Sequence, residues 1–439
     1  MNHSAIRIEL EAALSQELYE SFDGAIIETI LREGRVMQDH DELKSLLEGH
    51  SFKITAALAP DLHRICEEVR ATLEFTEEVE FFVSNSPDIN CFAYPRLEES
   101  QSHKVIINSA LLERFADDEL RFVLGHEIGH LISKNAQLQK IIRFVFPDFE
   151  RAPIVFQNKI QLWDKLAELT ADRYGYIAAP RLDQCINTFI KLSSGLSTSR
   201  ISFDAMVYLA EMEKVLDYFK ANPYAVASSH PINPVRIKCL QLFAESRLYK
   251  SLPQGKEDKK LAEAIRKLTR ILMVVGSSEL DKHRSYFVAA AGIIVAGIDK
   301  NLTLLEVEQI ITVLAKFSIF PKEFFDHILA QGDVNKIFAE SVKAILAENP
   351  AERYGMLEYL IGLVLSDNEI IKAETDLLFD IGENVFGLSR KELAQIIGAV
   401  VQKSFVPKLF RLPEAEPGPE PQPAARTAAS RPKASGRKA

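Results

Sequence analysis

Apolar residues recur three and four positions apart early in the chain, at Ile26, Ile27, Ile30 and Leu31 and again at Leu58, Leu62, Ile65, Val69 and Leu73. That period predicts an amphipathic, helical lead-in over residues 1–75. The period then shortens. Val79 to Val83, Cys91 to Tyr94 and Val105 to Asn108 are β-rich runs, separated by Asn85-Ser86-Pro87-Asp88 and by Arg96-Leu97-Glu98-Glu99-Ser100. Such runs between turn-forming stretches predict a small antiparallel sheet. Helical spacing returns at Asp117-Asp118-Glu119, three acids where a helix dipole is positive, so a helix is expected from about 117 to 133 and a second from about 157 to 177.

The polar stretch Ser251-Leu252-Pro253-Gln254-Gly255-Lys256-Glu257-Asp258 marks a boundary between the body of the first domain, 76–250, and an all-helical block over 259–410. Residues 412–439 hold six prolines and no aromatic residue, too little apolar surface to offset the entropy of ordering, so a disordered tail is expected. Its last stretch carries Arg426, Arg431, Lys433, Arg437 and Lys438 and no acid, which makes it a solvated tail or a weak electrostatic tether.

Composition narrows the function. With 47% hydrophobic and 26% charged residues, 19 Gly and 19 Pro, the chain is neither collagen-like, wholly disordered nor a coiled coil. A net charge of -10, with no Lys/Arg cluster interleaved with aromatics in the folded part, argues against nucleic acid as a partner. Four cysteines without a C-x-x-C pair predict reduced, buried thiols rather than a disulfide framework or thiolate metal site. No basic and apolar leader opens the sequence, and the longest apolar run, Tyr286 to Ile298, has 13 residues against the roughly 18 needed to span a bilayer. A soluble, cytoplasmic protein without a transmembrane segment is expected.

The strongest chemical signal is Gly125-His126-Glu127-Ile128-Gly129-His130, an H-E-x-x-H inside a helix-period apolar segment. Histidines four apart lie one above the other, so both can present imidazoles to one zinc ion while Glu127, about 100° round, faces the water that such an ion activates. Gly125 and Gly129 weaken a helix interior, which points to close approach by another backbone or a substrate. Catalytic zinc commonly takes three protein ligands. Glu168 and Asp172, four apart, supply Glu168 as the third and Asp172 as the carboxylate that orients an imidazole through its free N–H; the plainer alternative is a solvated acidic face neutralised by Lys165 and Arg173. Downstream, Ser228-Ser229-His230-Pro231-Ile232-Asn233-Pro234-Val235-Arg236 sets His230 in a proline-braced loop. There it could stabilise an oxyanion, with Arg236 fixing the loop through a salt bridge to Asp172, or simply be an exposed histidine.

Together these residues resemble the gluzincin metallopeptidases that include the heat-shock protease HtpX and the CAAX prenyl endopeptidases. That family joins H-E-x-x-H to a later E-x-x-x-D and an S-H-P-x-x-x-R-type loop, here His126 to His130, Glu168 to Asp172, and His230 to Arg236. Asn90-Cys91-Phe92-Ala93 is similar to its N-A-F strand before the metal helix, with Cys91 in place of alanine. The resemblance implies an α+β fold: a mainly helical, zincin-like domain with a small sheet. The transmembrane helices of many members have no counterpart here, so a soluble relative is implied.

The helical block contains a faint repeat. Gly292 to Asp299 followed by Glu306 parallels Leu360 to Asp367 followed by Glu374. The stretch resembles the TerB-like helical domain associated with tellurite resistance, in which each repeat places an Asp at a helix end and a Glu in the next helix. Asp299, Glu306, Asp367 and Glu374 either cap helices or form a site for a cation or protein partner. The leading expectation is a zinc endopeptidase, one Zn2+ per chain, acting on protein or peptide substrates, in stress response or quality control, with the helical block as a regulatory module. The competing expectations are a non-proteolytic, zinc-stabilised adaptor and an acidic metal-stress protein. An intact Glu127 speaks against the adaptor, because a structural zinc site needs no base.

Overall fold

The computed structural model describes residues 1–34, 39–96, 101–196, 204–221, 230–255, 258–273, 275–276, 278–298, 303–366 and 370–406. They divide into two compact units, Met1–Gly355 and Met356–Ala439. In the first unit a mixed, four-stranded sheet lies among helices. Its strands are β1 (Phe52–Lys53), β2 (Val79–Ser84), β3 (Cys91–Tyr94) and β4 (His103–Asn108), in the order β1-β2-β4-β3.

The sheet differs from the wholly antiparallel one expected. β4 runs parallel to β2, with Phe81 beside Val105, whereas β1 pairs antiparallel with β2 and β3 antiparallel with β4. The chain leaves β2, makes β3 at the edge, and returns to insert β4 between them. Strand order of this kind depends on pairings outside each run, so period alone does not reveal it. β1, two residues long, is too short to carry any period. As the inner strand, β4 is buried at every residue. Val105 and Ile107 join the main core with Phe81 and Cys91, and Ile106 turns with Phe82 to the other face, under Leu47.

Two long helices hold the centre of this unit: the motif helix, Asp117–Ile132, and the ligand helix, Ile154–Ala178. They run in opposite directions, since His126 meets Asp172 while His130 meets Glu168. Glycine lets their backbones touch. A Cβ on Gly125 would sit 2.6 Å from the Ala178 Cβ and 2.9 Å from the Tyr174 carbonyl oxygen, and one on Gly129 2.8 Å from the Tyr174 Cβ. The close approach expected at these glycines is therefore that of the ligand helix.

Among the described residues beyond Lys259 every regular element is a helix, including Glu279–Ala296, Leu304–Leu314 and Val334–Glu348 in the first unit and Lys372–Asn384 and Arg390–Ser404 in the second. No helix among the described residues is long and apolar enough to cross a membrane. The proline-rich and basic tail lies outside the described residues, as do Asp299 and Asp367.

Candidate metal centre

The motif helix begins where its acids allow. The Ala116 backbone N–H donates to Glu119 Oε2 at 2.8 Å, satisfying an amide left free at the helix start, and Glu119 is anchored in turn by the buried Lys191 ammonium at 2.6 Å. Two and three turns on, His126 and His130 project together, with ring centroids 4.8 Å apart and planes at 84°.

Asp172 Oδ1 lies 3.0 Å from His126 Nδ1. A carboxylate there holds the ring proton on Nδ1 and turns Nε2 toward the cleft as a donor atom. That Nε2 stands 3.1 Å from His130 Nε2. Glu168 completes the set, with one oxygen 3.5 Å from His126 Nε2 and the other 3.3 Å from His130 Nε2. Donor atoms of His126, His130 and Glu168 lie within 4.8 Å of one another, and among the described residues they are the one such cluster. Two imidazoles and a carboxylate suit zinc, which takes nitrogen and oxygen donors and in catalytic sites leaves one position open.

Electrostatics point the same way. Burial opposes charge on His126, yet hydrogen bonds with Asp172 and Glu168 outweigh it and raise its pKa to about 10. Burial likewise disfavours the Glu168 carboxylate, but the two histidines and the Arg236 charge hold it well below the usual carboxylate range. The site is built to accept positive charge. Arg236 grips Asp172 with both edges of its guanidinium, Nε to Oδ2 at 2.9 Å and Nη2 to Oδ1 at 2.7 Å, and Nη2 also reaches Glu168 Oε2 at 3.3 Å. It lies 4.8 Å over the Phe189 ring, which fixes its plane.

Glu127 stands outside this donor set. Burial pushes its carboxyl up, while the two histidines and the Ala93 backbone N–H pull it down. β3 is the sheet edge, with Cys91 buried, Ala93 half-buried, and Phe92 and Tyr94 exposed. Asn90 leads into it, its side-chain oxygen accepting the Cys91 N–H and its carbonyl accepting the Asn108 N–H.

The structure thus brings His126, Glu127, His130, Glu168, Asp172, Arg236 and the strand Asn90–Ala93 to one place. His230 is exposed at the bend before the helix Asn233–Glu245, and its neighbours Ser228 and Ser229 lie outside the described residues. Glu306 and Glu374 serve their own helices. Glu306 Oε2 accepts from the Thr303 N–H at 2.7 Å and hydroxyl at 2.8 Å, and Glu374 Oε2 accepts from the Ile371 N–H at 3.2 Å.

Two participants were not foreseen. Asp164, one turn before Glu168, accepts a 2.6 Å hydrogen bond from Gln139, and burial raises it to about 7. The i, i+4, i+8 series Asp164, Glu168, Asp172 was its available signal. Phe189 under Arg236 had none.

Residues 56–243 match Peptidase family M48. The plastoglobule-localized metallopeptidase 48 of Arabidopsis thaliana, a chloroplastic protein, is 24% identical over 218 residues, 46% of this chain and 62% of that protein. A protease HtpX homolog of Helicobacter pylori is 29% identical over 103 residues, 24% of this chain and 32% of its own length. The chain therefore spans less than two thirds of each of these relatives. No solved structure matches. The matched stretch holds His126, His130, Glu168 and Arg236, so the region of this chain that is similar to Peptidase family M48 is the one that carries the candidate metal centre.

Proposed function

We propose that this chain is a zinc-dependent endopeptidase that binds one zinc ion through His126, His130 and Glu168 and hydrolyses peptide bonds of protein or peptide substrates. The observation that carries the reading is the convergence of those three donors beside a half-buried carboxylate, Glu127, that is not one of them. A structural ion would need no such base. Bound there, zinc would polarise the scissile carbonyl and acidify the attacking water.

The protein's own groups supply the rest. Glu127 takes a proton from the attacking water and delivers it to the leaving amine, and burial, by raising its pKa, suits it to both tasks. Asp172 keeps the His126 proton on Nδ1, and Arg236 holds Asp172 ionised. Substrate adds as a strand along β3, where an extended peptide satisfies its backbone groups beside the motif helix. His230, from its loop, donates to the developing oxyanion. We assign the TerB-like block over 259–410 a regulatory or recruiting role for a protein partner or cation, and the enzyme to cytoplasmic stress response or quality control. Four buried cysteines with no disulfide accord with a reducing compartment.

The test compares purified wild type and Glu127→Gln for zinc content and peptide hydrolysis, and cells carrying each for accumulating proteins. Equal zinc, lost hydrolysis and accumulating substrates support the reading. Turnover retained by Glu127→Gln overturns it.

A further inference from the structure

The ligand helix is gripped on two sides. Its front face meets the motif helix, and its back face meets a segment that precedes the peptidase-family region by more than forty residues. That segment, His3–Glu11, consists of the single turn His3–Ile6, extended backbone at Arg7, and the start of the helix Glu9–Ser21.

Its contacts converge on residues interleaved with the site. The Ile8 backbone N–H donates to Thr170 Oγ1 at 3.2 Å, and that hydroxyl donates onward to Glu11 Oε2 at 3.4 Å. Glu11, fully buried, is held by Arg7 through two hydrogen bonds of 2.9 and 2.7 Å. Arg173 Nη1 donates to the Ile6 carbonyl at 2.7 Å and to that of Arg7 at 3.4 Å, while its Nε, also buried, has no hydrogen-bond partner among the described residues. The Tyr174 hydroxyl donates to the His3 carbonyl at 3.2 Å.

At about 100° per residue, Thr170 stands about 200° round from Glu168, directly behind it, and Arg173 follows Asp172 in the chain. Apolar packing alone tolerates sliding along a helix axis. Hydrogen bonds from fixed carbonyls and an amide to a buried hydroxyl and guanidinium do not, because each misplacement leaves a buried polar group unpaired.

We propose that His3–Glu11 is a positioning strap: through Thr170 and Arg173 it sets the axial register of the ligand helix, so that Glu168 and Asp172 face His126 and His130. The inference rests on the zinc reading above but assigns a role in it to a segment outside the matched family region. The strap residues touch no reacting atom and act only through the ligand helix.

The test uses the full chain. Thr170→Val keeps the shape and removes the hydroxyl, and Thr170→Ser restores it. Zinc affinity is measured by competition with a chelating dye, and amide exchange is followed across residues 165–175. Thr170→Val should weaken zinc binding about tenfold, the low end of the range for groups behind metal ligands, while Thr170→Ser stays within about twofold of wild type. It should speed exchange in the ligand helix and lower kcat more than it alters KM. Ile345→Val, a fully buried site in the helix Val334–Glu348, reports lost stability alone.

Zinc affinity unchanged in Thr170→Val, or equally weakened in Ile345→Val at a matched fall in Tm, overturns the strap. Should Thr170→Val fail to fold, Glu11→Gln carries the same expectation, because it preserves volume and removes the charge that Arg7 holds. A wild-type protein that binds zinc and cleaves nothing would count against the peptidase reading and leave these metal and exchange measurements to decide the strap.

Discussion

Carboxylates that the sequence marks as candidate cation ligands occur in two regions of this chain and do different things. In the motif and ligand helices, Glu168 and Asp172 reach across an interface to imidazoles and a guanidinium. At the starts of Leu304–Leu314 and Lys372–Asn384, Glu306 and Glu374 turn back on amides of their own chain segment. Acid spacing alone does not separate the two cases. What separates them is whether a partner of opposite or adaptable charge faces the acids from another element. The first arrangement gathers donors for a cation; the second closes a helix end.

Breaking the cross-interface set should have the largest effect. Glu168→Ala should abolish stoichiometric zinc binding, measured by metal analysis after dialysis, and peptide hydrolysis with it; a zinc-loaded, active variant would remove Glu168 from the ligand set. Removing the support behind the ligands should cost less. Asp172→Asn should reduce zinc affinity or kcat/KM by about 10- to 100-fold, read by chelator competition and steady-state rates. Arg236→Lys should move in the same direction, since an ammonium cannot reproduce the two-edged grip on Asp172.

The local caps should respond only locally. Glu306→Ala and Glu374→Ala should each lower stability by about 1 kcal/mol, seen as a drop of a few degrees in Tm, with zinc content untouched. Zinc lost from either variant would mean that the two regions are coupled.

The smallest effect concerns a third acid aimed across an interface. Burial would push the Glu80 carboxyl up, but hydrogen bonds from Lys104, Lys53 and Ser102 outweigh it and hold the pKa at about 2, against an ordinary 4.5. A pKa depressed on folding contributes stability above the unfolded value and loses it as pH falls toward the folded one. Denaturation curves should therefore show wild type losing stability between pH 4.5 and about 2, and Glu80→Gln losing less over that window. Identical slopes would show that Glu80 is not ion-paired in solution.

Much of the centre was legible because it is local. H-E-x-x-H within an apolar helix period, and a later acid pair four apart, are each written within a single turn or two, where backbone geometry turns spacing directly into facing. The glycines at 125 and 129 announced a close approach, though not that Tyr174 and Ala178 would make it. What was not legible depends on distant chain. Whether β4 pairs with β2 or only with β3 is settled by the whole sheet, and Arg173, which reads as a neutraliser of its acidic neighbours, turns instead to carbonyls at Ile6 and Arg7. Asp299 and Asp367, to which sequence gave equal weight with Glu306 and Glu374, lie outside the described residues.

The sheet edge at β3 carries a hazard along with its use. A row of backbone groups open to an incoming peptide is equally open to another copy of the same strand, and with Phe92 and Tyr94 exposed on it, β3 is a template for aggregation. Length blunts it: the strand has four residues, too few for a lasting strand-to-strand match. An incoming peptide and a stray copy would compete for the same backbone groups, so self-association would be weakest when that edge is occupied.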